Sequence, residues 1–344
     1  MMRQTVPLAA ALFGGALVAG LAGVAHADGS GSATLDAVKA RGQLVCGIDG
    51  NTAGFSLPDS QGVMRGIDAD GCRSVAAAIF GDPGKVKFVP LTATNRFTAL
   101  QSAEVDVLIR ETTWTMGREA SLGGLFAGIN FYDGTGFIAK KALGVKSAKE
   151  LDGATVCVQP GTSTELAVSD YFRQANLKFT PILIDNEAEI QNAFISGRCD
   201  VFSNDSSALG TFRATQPNKD DYVLLPEIIS KEPLGPMVRK GDDKWFDIIR
   251  WTYFAQLIGE EHGYTSATID SQGTTTDPEG RRFLGLEGDL GKALGLDGKW
   301  AYNVIKLVGN AAEIWDHNLG VLGIPRGING PWNKGGLMYA PPMR

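Results

Sequence analysis

The stretch that decides the fold is VDVLIRETTWTMGR, residues 105–118, in which an apolar strand pattern runs directly into a loop rich in hydroxyl groups. The loop carries an arginine at each end, Arg110 and Arg118, and Glu111 follows the first of them. The run VDVLI (105–109) has the length and β-branched content of a buried strand. The two guanidinium groups are therefore either solvated surface charges, or one of them binds an anion at the carboxyl end of the strand.

The segments on both sides of this strand alternate between strand and helix patterns. Upstream, the strand patterns QLVCGI (43–48) and KVKFVPL (85–91) are separated by a helix pattern over 68–81. A second copy of the rhythm follows, with strand patterns at 154–159 and 199–204. This alternation predicts mainly parallel sheets with helices on their faces. We expect an α/β protein of two lobes, with the carboxyl ends of the strands at a ligand cleft between them.

The composition is that of a moderately hydrophobic chain with a mild negative charge. Of its 344 residues, 44% are hydrophobic and 20% are charged, and the formal net charge is −6. This length accommodates two domains, each with its own core. A nucleic-acid-binding protein needs a basic surface for the phosphates, and the sequence contains no basic run. The composition therefore predicts a soluble globular protein with no nucleic-acid partner.

The first 27 residues have the pattern of a signal peptide. Arg3 supplies a positive charge, an apolar stretch follows, and AHA (25–27) is a small-x-small cleavage site. Cleavage after Ala27 leaves Asp28 at the new N-terminus, where a lipid anchor would need a cysteine. A membrane anchor is the alternative, but glycines interrupt the apolar stretch. No later stretch reaches the ~18 to 20 apolar residues of a membrane span, so we expect the mature chain to be exported and not embedded in a membrane.

The sequence contains four cysteines, Cys46, Cys72, Cys157 and Cys199. An even number in an exported protein favours disulfides, and four cysteines allow three pairings. If the early and middle pairs lie in different lobes, the natural connectivity is Cys46–Cys72 and Cys157–Cys199. Free buried thiols are the alternative. The spacing is not that of a zinc site, and we expect neither a metal nor a cofactor.

Polar groups stand at the ends of four predicted strands. In the first half of the chain, Asp49 follows the first strand, and Arg110, Glu111 and Thr113 follow the third. In the second half, GTSTE (161–165) lies where a strand runs into a helix, and Asp205 follows the strand CDVFSN. The free N–H groups of a helix start can bind an anion. Each group also has an ordinary explanation, since Thr162 and Glu165 form a capping-box pattern, Asp205 can be an N-cap, and Arg118 can be solvated. Their joint placement in both halves predicts a ligand that carries both charges.

The loop at 106–118 resembles the carboxylate-binding loop of the type II periplasmic substrate-binding proteins of amino-acid ABC transporters. That loop follows the pattern D-x-x-x-S-x-x-[ST]-x-T-x-x-R. Here Arg118 stands twelve residues after Asp106, with Thr113 and Thr115 at the hydroxyl positions. The resemblance implies the two-lobed fold of that family, with each lobe a mainly parallel sheet flanked by helices and with the ligand cleft between the lobes.

The similarity extends over essentially the whole mature chain. GTS (161–163) is similar to the family's GTT helix start, and GRCDVFSND (197–205) is similar to its G-R-x-D-x-x-x-x-D pattern. GIDADGCRSVA (66–76) resembles the GFDIDL helix entry. The segments 225–251 and 331–344 resemble the longer subgroup, the general (broad-range) L-amino-acid-binding proteins.

The resemblance implies a role for each polar group at the cleft. Arg118 would bind the α-carboxylate of an L-amino acid through a bidentate fork that lysine lacks, and Asp205 would bind the α-ammonium. The other ligand-site residues that it implies are Thr113, Ser163 and Thr162 near the carboxylate, and Asp49, Arg110, Glu111 and Thr52 on the opposite wall or near the ligand side chain.

Three features depart from the family's pattern, the first being NTAG (51–54), which stands where a proline-containing turn is expected. Glu111 stands where the subgroup has asparagine, in RNTTW, and Thr52 stands where shorter relatives place an aromatic residue over the ligand. Glu111 is expected either to pair with Arg110 and neutralise it, or to contact a basic side chain of the ligand. Recognition of an α-amino acid is retained, and the preferred side chain is left open.

The predicted organisation is discontinuous. Residues 28–131 and 231–344, including a C-terminal extension, are expected to form lobe 1, and residues 132–230 to form lobe 2, with crossings near 130–135 and 228–234. The expected function is periplasmic binding of L-amino acids by a monomer, which closes its lobes and delivers the ligand to an inner-membrane ABC permease.

Two other functions are compatible with the same resemblance. One is an enzyme on this fold, similar to cyclohexadienyl or arogenate dehydratases, in which Glu111 or Asp49 would be the general acid or base. The other is a periplasmic amino-acid sensor. The sequence contains neither a G-x-S-x-G nucleophile motif nor a visible metal-ligand cluster, and a non-enzymatic binding protein is therefore the preferred interpretation.

Overall fold

The computed structural model describes residues 1–2 and 30–344. The predicted signal peptide and its cleavage site fall on residues 3–29, outside the described residues. The strands are β1 (Leu44–Ile48), β2 (Leu57–Pro58), β3 (Met64–Arg65), β4 (Val86–Pro90), β5 (Val107–Leu108), β6 (Gly124–Phe126), β7 (Phe131–Asp133), β8 (Thr135–Lys140), β9 (Ala154–Val158), β10 (Phe179–Leu183), β11 (Val201–Asp205), β12 (Tyr222–Leu224), β13 (Glu232–Leu234) and β14 (Met237–Arg239). The helices are α1 (Ala33–Arg41), α2 (Ile67–Phe80), α3 (Arg96–Gln101), α4 (Met116–Ser121), α5 (Ser163–Gln174), α6 (Glu187–Ile195), α7 (Ser206–Thr215), α8 (Asp243–Glu261), α9 (Pro278–Phe283), α10 (Leu290–Ala293), α11 (Trp300–Leu307) and α12 (Ala311–Asn318).

The first sheet has five strands in the order β4–β1–β5–β14–β6. β1 pairs in parallel with β4 and β5, and β14 runs antiparallel to β5 and β6. All five residues of β1 are buried, as expected for a strand whose sheet is covered on both faces. The helix α8 packs its buried apolar residues, among them Trp245, Ile248 and Ile249, into the core of this sheet.

The second sheet repeats this arrangement with the order β10–β9–β11–β8–β12. β9 pairs in parallel with β10 and β11, and β8 runs antiparallel to β11 and β12. The predicted two-lobed α/β fold is confirmed, and each sheet combines three parallel strands with antiparallel ones. The reason is that β8 and β14 start at the edge where the parallel strands end, and so run against them.

Two short strands carry the chain between the sheets. β7 precedes β8, β13 precedes β14, and the two pair antiparallel, with Asp133 opposite Glu232 and Phe131 opposite Leu234. An isolated bridge joins Thr113 to Leu234, so the loop after β5 is tied directly to this two-stranded crossing.

The strand order creates a switch point in each sheet. In the first sheet, β4 and β5 lie on opposite sides of β1, and in the second sheet β10 and β11 lie on opposite sides of β9. Connections from such neighbouring strands diverge and leave a crevice at their carboxyl ends, where ligands bind in open α/β sheets. The segments after β1, β5, β9 and β11 are therefore the expected walls of a site.

The C-terminal segment after α8 packs on the first sheet's helices and reaches the second sheet. α11 and α12 contact α2 and α8. Asn329 accepts a hydrogen bond of 2.7 Å from the backbone N–H of Tyr132 on β7 and donates one of 3.0 Å to the carbonyl of the same residue. Ile324 lies against Gly210 of α7. In the part of the chain that the structure describes, no helix has the length and apolar character needed to cross a membrane.

Both sheets contain a disulfide. Cys46 on β1 is bonded to Cys72 on α2, with 6.1 Å between the Cα atoms. Cys157 on β9 is bonded to Cys199, which precedes β11, with 5.7 Å between the Cα atoms. The structure therefore contains the connectivity favoured by the sequence, one bond within each lobe, and the alternative of free thiols is wrong.

Removal of the second disulfide should destabilise the fold without changing the site. The bond closes a loop of 42 residues in sequence, and losing such a cross-link costs about 2–4 kcal/mol because the unfolded chain regains freedom. The double variant Cys157→Ala, Cys199→Ala should therefore unfold at a lower urea concentration. Equal urea midpoints for the variant and the oxidised wild type would contradict this expectation.

Candidate functional site

The candidate site is a small polar cavity between the two switch points. One wall comes from α3 and the segments after β1 and β5, and the other from α6 and the segments after β9 and β11. Eight of the nine predicted ligand-site residues line it: Asp49, Thr52, Arg110, Glu111, Thr113, Thr162, Ser163 and Asp205. The ninth, Arg118, lies behind Thr113. The strand ends that are far apart in sequence are thus brought together.

Arg110 and Asp49 form a buried ion pair on the first wall. Nη2 of Arg110 lies 2.7 Å from Oδ1 of Asp49, and both side chains are about 5% exposed or less. Nε of Arg110 donates to the carbonyl of Leu91, and the Thr52 hydroxyl donates to Oδ2 of Asp49. The expectation that Glu111 pairs with Arg110 is therefore wrong, because the strand order places the end of β1 beside the end of β5 and so gives Arg110 a different carboxylate.

Glu111 occupies the same wall with an unusual backbone. Its φ angle is +42°, a left-handed conformation that costs energy for a residue other than glycine. Its backbone N–H donates to Oδ2 of Asp68, and its carboxylate has no hydrogen-bond partner among the described residues. Burial, together with Asp68, Asp49 and Asp205, raises the pKa of Glu111 well above its ordinary value. The Glu111 carboxyl group is therefore available to a hydrogen-bonding group from outside the protein.

Arg96, at the first position of α3, also lines the cavity and was missed by the sequence reasoning. It is 2% exposed, its Nε is without a hydrogen-bond partner, and its guanidinium lies 4.8 Å from the centre of the Phe97 ring. Burial and the neighbouring Arg110 and Arg118 lower its pKa. A sequence signal was present, because a cation in the first turn opposes the helix dipole and suggests a demand other than helix stability.

Arg118 is buried at the edge of the site. Nη1 donates to the carbonyl of Thr113 over 2.8 Å, and the guanidinium lies 5.3 Å from the centre of the Phe97 ring. Burial lowers the pKa of Arg118 to about 10, against the opposing effect of Glu232 and Asp205, so the group is positively charged at neutral pH. The motif aspartate Asp106 is remote from this chemistry, since it pairs with Arg41.

The second wall begins at the N-terminus of α5. Thr162 is the N-cap, and its hydroxyl accepts from the N–H of Glu165 and donates to the carbonyl of Gln159. The Glu165 carboxylate accepts from the N–H of Gly161 at 2.7 Å, one residue earlier than in a capping box. The Ser163 hydroxyl is free of this cap and lies 3.0 Å from that of Thr113 across the cavity. Helix capping and hydroxyls that face the site therefore coexist in the GTSTE segment.

Asp205 stands at the N-cap position of α7 without capping it. Its side chain makes no cap hydrogen bond, is 6% exposed, and has no hydrogen-bond partner among the described residues. Burial, with Asp133 and Glu232, raises the pKa of Asp205 well above its ordinary value. The capping explanation offered by the sequence is therefore wrong for this side chain, and the carboxylate is available to a positively charged group.

The two walls are in direct contact at the edges of the cavity. The Thr94 hydroxyl donates to Oδ2 of Asp185 over 2.7 Å, and the Thr94 N–H donates to the other oxygen. Thr113, next to Ser163, donates to Oε2 of Glu232 on β13 at 2.6 Å. The cavity is therefore closed by hydrogen bonds that join the first sheet's loops to the second sheet and to the crossing.

The remaining acid of the second wall is held by the protein itself. Oε1 of Glu187, on α6, accepts from Gln191 at 2.9 Å and from Asn204 at 3.3 Å, and burial raises the pKa of Glu187 to about 7. Within residues 1–2 and 30–344, no group of three or more histidine, cysteine, aspartate or glutamate side chains is placed to hold a metal ion. The charged groups at the cavity that have no hydrogen-bond partner among the described residues are two acids, Glu111 and Asp205, and one guanidinium, Arg96.

Comparison with known proteins identifies the class of site. A family model described as bacterial extracellular solute-binding proteins, family 3, matches residues 44–256. The glutamate/glutamine/aspartate/asparagine-binding protein BztA of Rhodobacter capsulatus is 52% identical over 339 residues, which are 97% of this chain and 99% of that protein. The general L-amino acid-binding periplasmic protein AapJ of Rhizobium johnstonii is 50% identical over 323 residues, covering 92% of this chain and 95% of that protein.

A solved structure is similar over almost the same extent. The periplasmic binding protein of an ABC transporter from Brucella ovis, determined with glutathione bound, is 50% identical and superposes with a TM-score of 0.88. The match covers 90% of this chain and 99% of that chain. The similarity therefore includes the C-terminal segment as well as both sheets.

Proposed function

The chain belongs to the bacterial extracellular solute-binding proteins of family 3, and we propose that it binds L-amino acids in the periplasm and delivers them to an inner-membrane ABC permease. Support comes from the polar cavity between two α/β lobes and from the relatives named for amino acids, which align over nearly their whole length. The transport function is the one that this combination supports best.

The observation that carries the proposal is the Asp205 carboxylate, which is buried at the cavity and has no hydrogen-bond partner in the described part of the chain. An unpaired buried carboxylate is unfavourable by itself, so it is suited to an ammonium group. The hydroxyls of Thr113 and Ser163, the start of α5 and the charge of Arg118 suit a carboxylate. A free α-amino acid carries both groups on one carbon atom.

The individual roles follow from these contacts. We assign Arg118, Thr113 and Ser163 to the α-carboxylate, with Thr162 orienting the helix start through its cap, and Asp205 to the α-ammonium. Arg118 would contact the ligand carboxylate through the guanidinium N–H groups that are not hydrogen-bonded to the carbonyl of Thr113. Arg110 and Thr52 both donate hydrogen bonds to Asp49, and we assign to these three residues the shape and charge balance of the opposite wall.

Ligand exchange requires the walls to separate. We propose that residues 28–131 with 231–344 form lobe 1, that residues 132–230 form lobe 2, and that β7 and β13 contain the hinge. The hydrogen bonds from Thr94 to Asp185 and the contact of Thr113 with Ser163 would then break on opening. Motion about short crossing strands is the usual form of domain closure around a ligand.

Export and assembly complete the proposal. The chain would be carried across the inner membrane by residues 1–27, be cleaved after Ala27, and act as a monomer. Its closed form would then dock on the permease. No cofactor or metal takes part in this cycle, and we propose that the amino acid is released unchanged rather than converted by an enzyme.

A ligand panel tests the proposal directly. Purified protein is screened by thermal shift against the common L-amino acids. Glutathione is included because the structure of the Brucella ovis relative was determined with glutathione bound. Ligands that raise the melting temperature are then titrated by calorimetry. We expect saturation at one site and quantitative recovery of the ligand. Conversion to a product would establish an enzyme instead, and no binding by any amino acid would refute the proposal.

Uptake measurements separate transport from sensing. Deleting the gene should abolish uptake of the radiolabelled ligand by cells, and the wild-type copy should restore it. Uptake that persists in the deletion strain, with binding intact in the purified protein, would favour a periplasmic sensor.

A further inference from the structure

The cavity has more polar groups than an α-amino and an α-carboxyl group can use. On the first wall, Asp49, Thr52 and Arg110 satisfy each other, and on the second wall Glu187 is held by Gln191 and Asn204. The charged side chains of the cavity that remain without a hydrogen-bond partner in the described chain, after Asp205 is assigned to the ammonium, are Glu111 and Arg96. Both line the same cavity as Asp205, Thr113 and Ser163, so both are available to the ligand's side chain.

Glu111 and Arg96 have opposite requirements. The Glu111 carboxylate accepts hydrogen bonds, and the Arg96 guanidinium donates them. The protein supports the position of Glu111 through the bond from its backbone N–H to Asp68 and through a left-handed φ angle of +42°. Arg96 is 2% exposed, so its guanidinium is almost completely removed from solvent. A ligand group that both donates and accepts meets the two requirements at once.

The charge of the ligand side chain decides among the amino acids. An acidic side chain would accept from Arg96 but place its carboxylate against Glu111, whose neighbours Asp68 and Asp49 are also acids. A basic side chain would donate to Glu111 but bring a second cation to Arg96. Like charges brought together in a desolvated site are strongly unfavourable. A neutral amide avoids both contacts, since its NH2 can donate to Glu111 while its oxygen accepts from Arg96.

We propose that Glu111 and Arg96 form a side-chain subsite for a carboxamide, and that Glu111 makes the protein favour glutamine and asparagine over glutamate and aspartate. This inference rests on the proposed function, because it presumes that the cavity binds an α-amino acid. It assigns to Glu111 a role in specificity, in place of the earlier alternatives of pairing with Arg110 or of receiving a basic side chain.

The test compares glutamine with glutamate by calorimetry in the wild type and in Glu111→Gln, which keeps the shape and removes the charge. We expect the wild type to bind glutamine more tightly, and the variant to reduce this preference by at least about tenfold, which corresponds to the loss of one like-charge contact. Glutamine affinity should change little, since a glutamine at 111 still accepts a hydrogen bond. Glu104→Gln, an exposed glutamate of the same lobe, is the matched control and should leave the preference unchanged.

Glu111→Asn provides a second variant, because asparagine adopts left-handed backbone more readily than glutamine. It should reduce the preference in the same direction even if Glu111→Gln folds poorly. Thermal unfolding of each variant without ligand shows whether a change in affinity reflects the subsite or the fold.

The pH dependence of the wild-type preference needs no variant. Glu111 faces Asp68 on α2, Asp49 after β1, Asp205 on β11 and its neighbour Arg110, and Arg96 and Glu187 line the same cavity. These surroundings favour the protonated form of Glu111, whereas the ionised form is the one that repels a ligand carboxylate. The preference for glutamine should therefore weaken as the pH falls, at a higher pH than an ordinary glutamate would cause, while the side chain of free glutamate stays ionised above its pKa of about 4.3. The α-ammonium and Asp205 are common to both ligands and cancel in the ratio.

The outcomes are distinguishable from failure of the proposed function. Three results would refute the carboxamide subsite and leave the proposal of an amino-acid-binding protein intact. The wild type could bind glutamate as tightly as glutamine or more tightly, or both Glu111 variants could keep the wild-type preference. Lysine or arginine could also be the ligand that binds most tightly. Absence of binding by all the amino acids tested would refute the proposed function, and the subsite with it.

Discussion

Replacing Arg118 by alanine is expected to weaken amino-acid binding by about 3–5 kcal/mol, which is a loss of two orders of magnitude or more in affinity. The reason is that the ligand carboxylate would be buried beside Ser163 and Thr113 without its counter-charge. Arg118→Lys should also bind weakly, because an ammonium group cannot form the two parallel hydrogen bonds of a guanidinium. Calorimetric titration with the tightest ligand of the panel measures both changes.

The control for this substitution is Arg173→Ala. Arg173 lies on the surface in an exposed pair with Asp170, and exposed pairs contribute little, so its removal should leave binding unchanged. Arg118 also donates to the carbonyl of Thr113, so the melting temperature of each ligand-free variant is needed. Ligand-induced thermal shifts of full size in Arg118→Ala would remove Arg118 from the carboxylate site.

Asp205→Asn should weaken amino-acid binding to a similar extent, by about 3–5 kcal/mol. It should not destabilise the ligand-free protein. The amide keeps the shape but cannot neutralise the α-ammonium. In the ligand-free protein, the raised pKa of Asp205 shows that its ionised form is unfavourable there. A neutral asparagine removes this cost, so the melting temperature without ligand should be equal to or higher than that of the wild type.

The pH dependence of binding has a definite sign. An α-ammonium binds the ionised form of Asp205, and burial raises the pKa of this group above the ordinary value of 3.8. Wild-type affinity should therefore fall as the pH is lowered. The fall should begin at a higher pH than it would for an aspartate with the ordinary pKa. Asp170→Asn, an exposed aspartate of the same lobe, should retain the wild-type pH profile and affinity. A variant Asp205→Asn that binds as tightly as the wild type would place the ammonium elsewhere.

The two predictions differ in what a failure would mean. Arg118 donates a hydrogen bond to the carbonyl of Thr113 in addition to its proposed contact with the ligand, so its loss affects both the loop and the ligand. Asp205 has no such second task, because its side chain caps nothing and bonds to no described residue. Asp205→Asn is therefore the cleaner test of whether the ligand carries an ammonium group. Arg118→Ala tests how the ligand carboxylate is bound.

The sequence by itself determined the elements and the identity of the main charged groups. Periodicity identified the strands that end at Asp49, Arg110 and Asp205, because burial imposes a pattern on neighbouring residues. The resemblance of residues 106–118 to the family's carboxylate-binding loop singled out Arg118, twelve residues after Asp106, over Arg110. The cysteine pairs followed from the separation of the chain into two halves.

Only the tertiary structure decided which charges remain free. Asp49 reaches Arg110 because β1 and β5 are neighbours in the order β4–β1–β5, and no local pattern encodes that order. The same arrangement left Glu111 without the partner expected for it and brought Arg96 from α3 to the cavity. Asp205 has the sequence of a helix cap, but its carboxylate is unpaired and buried. The physical reason is that pairing and desolvation depend on neighbours that are distant in sequence, whereas strands, helices and motif spacing depend on neighbours that are close.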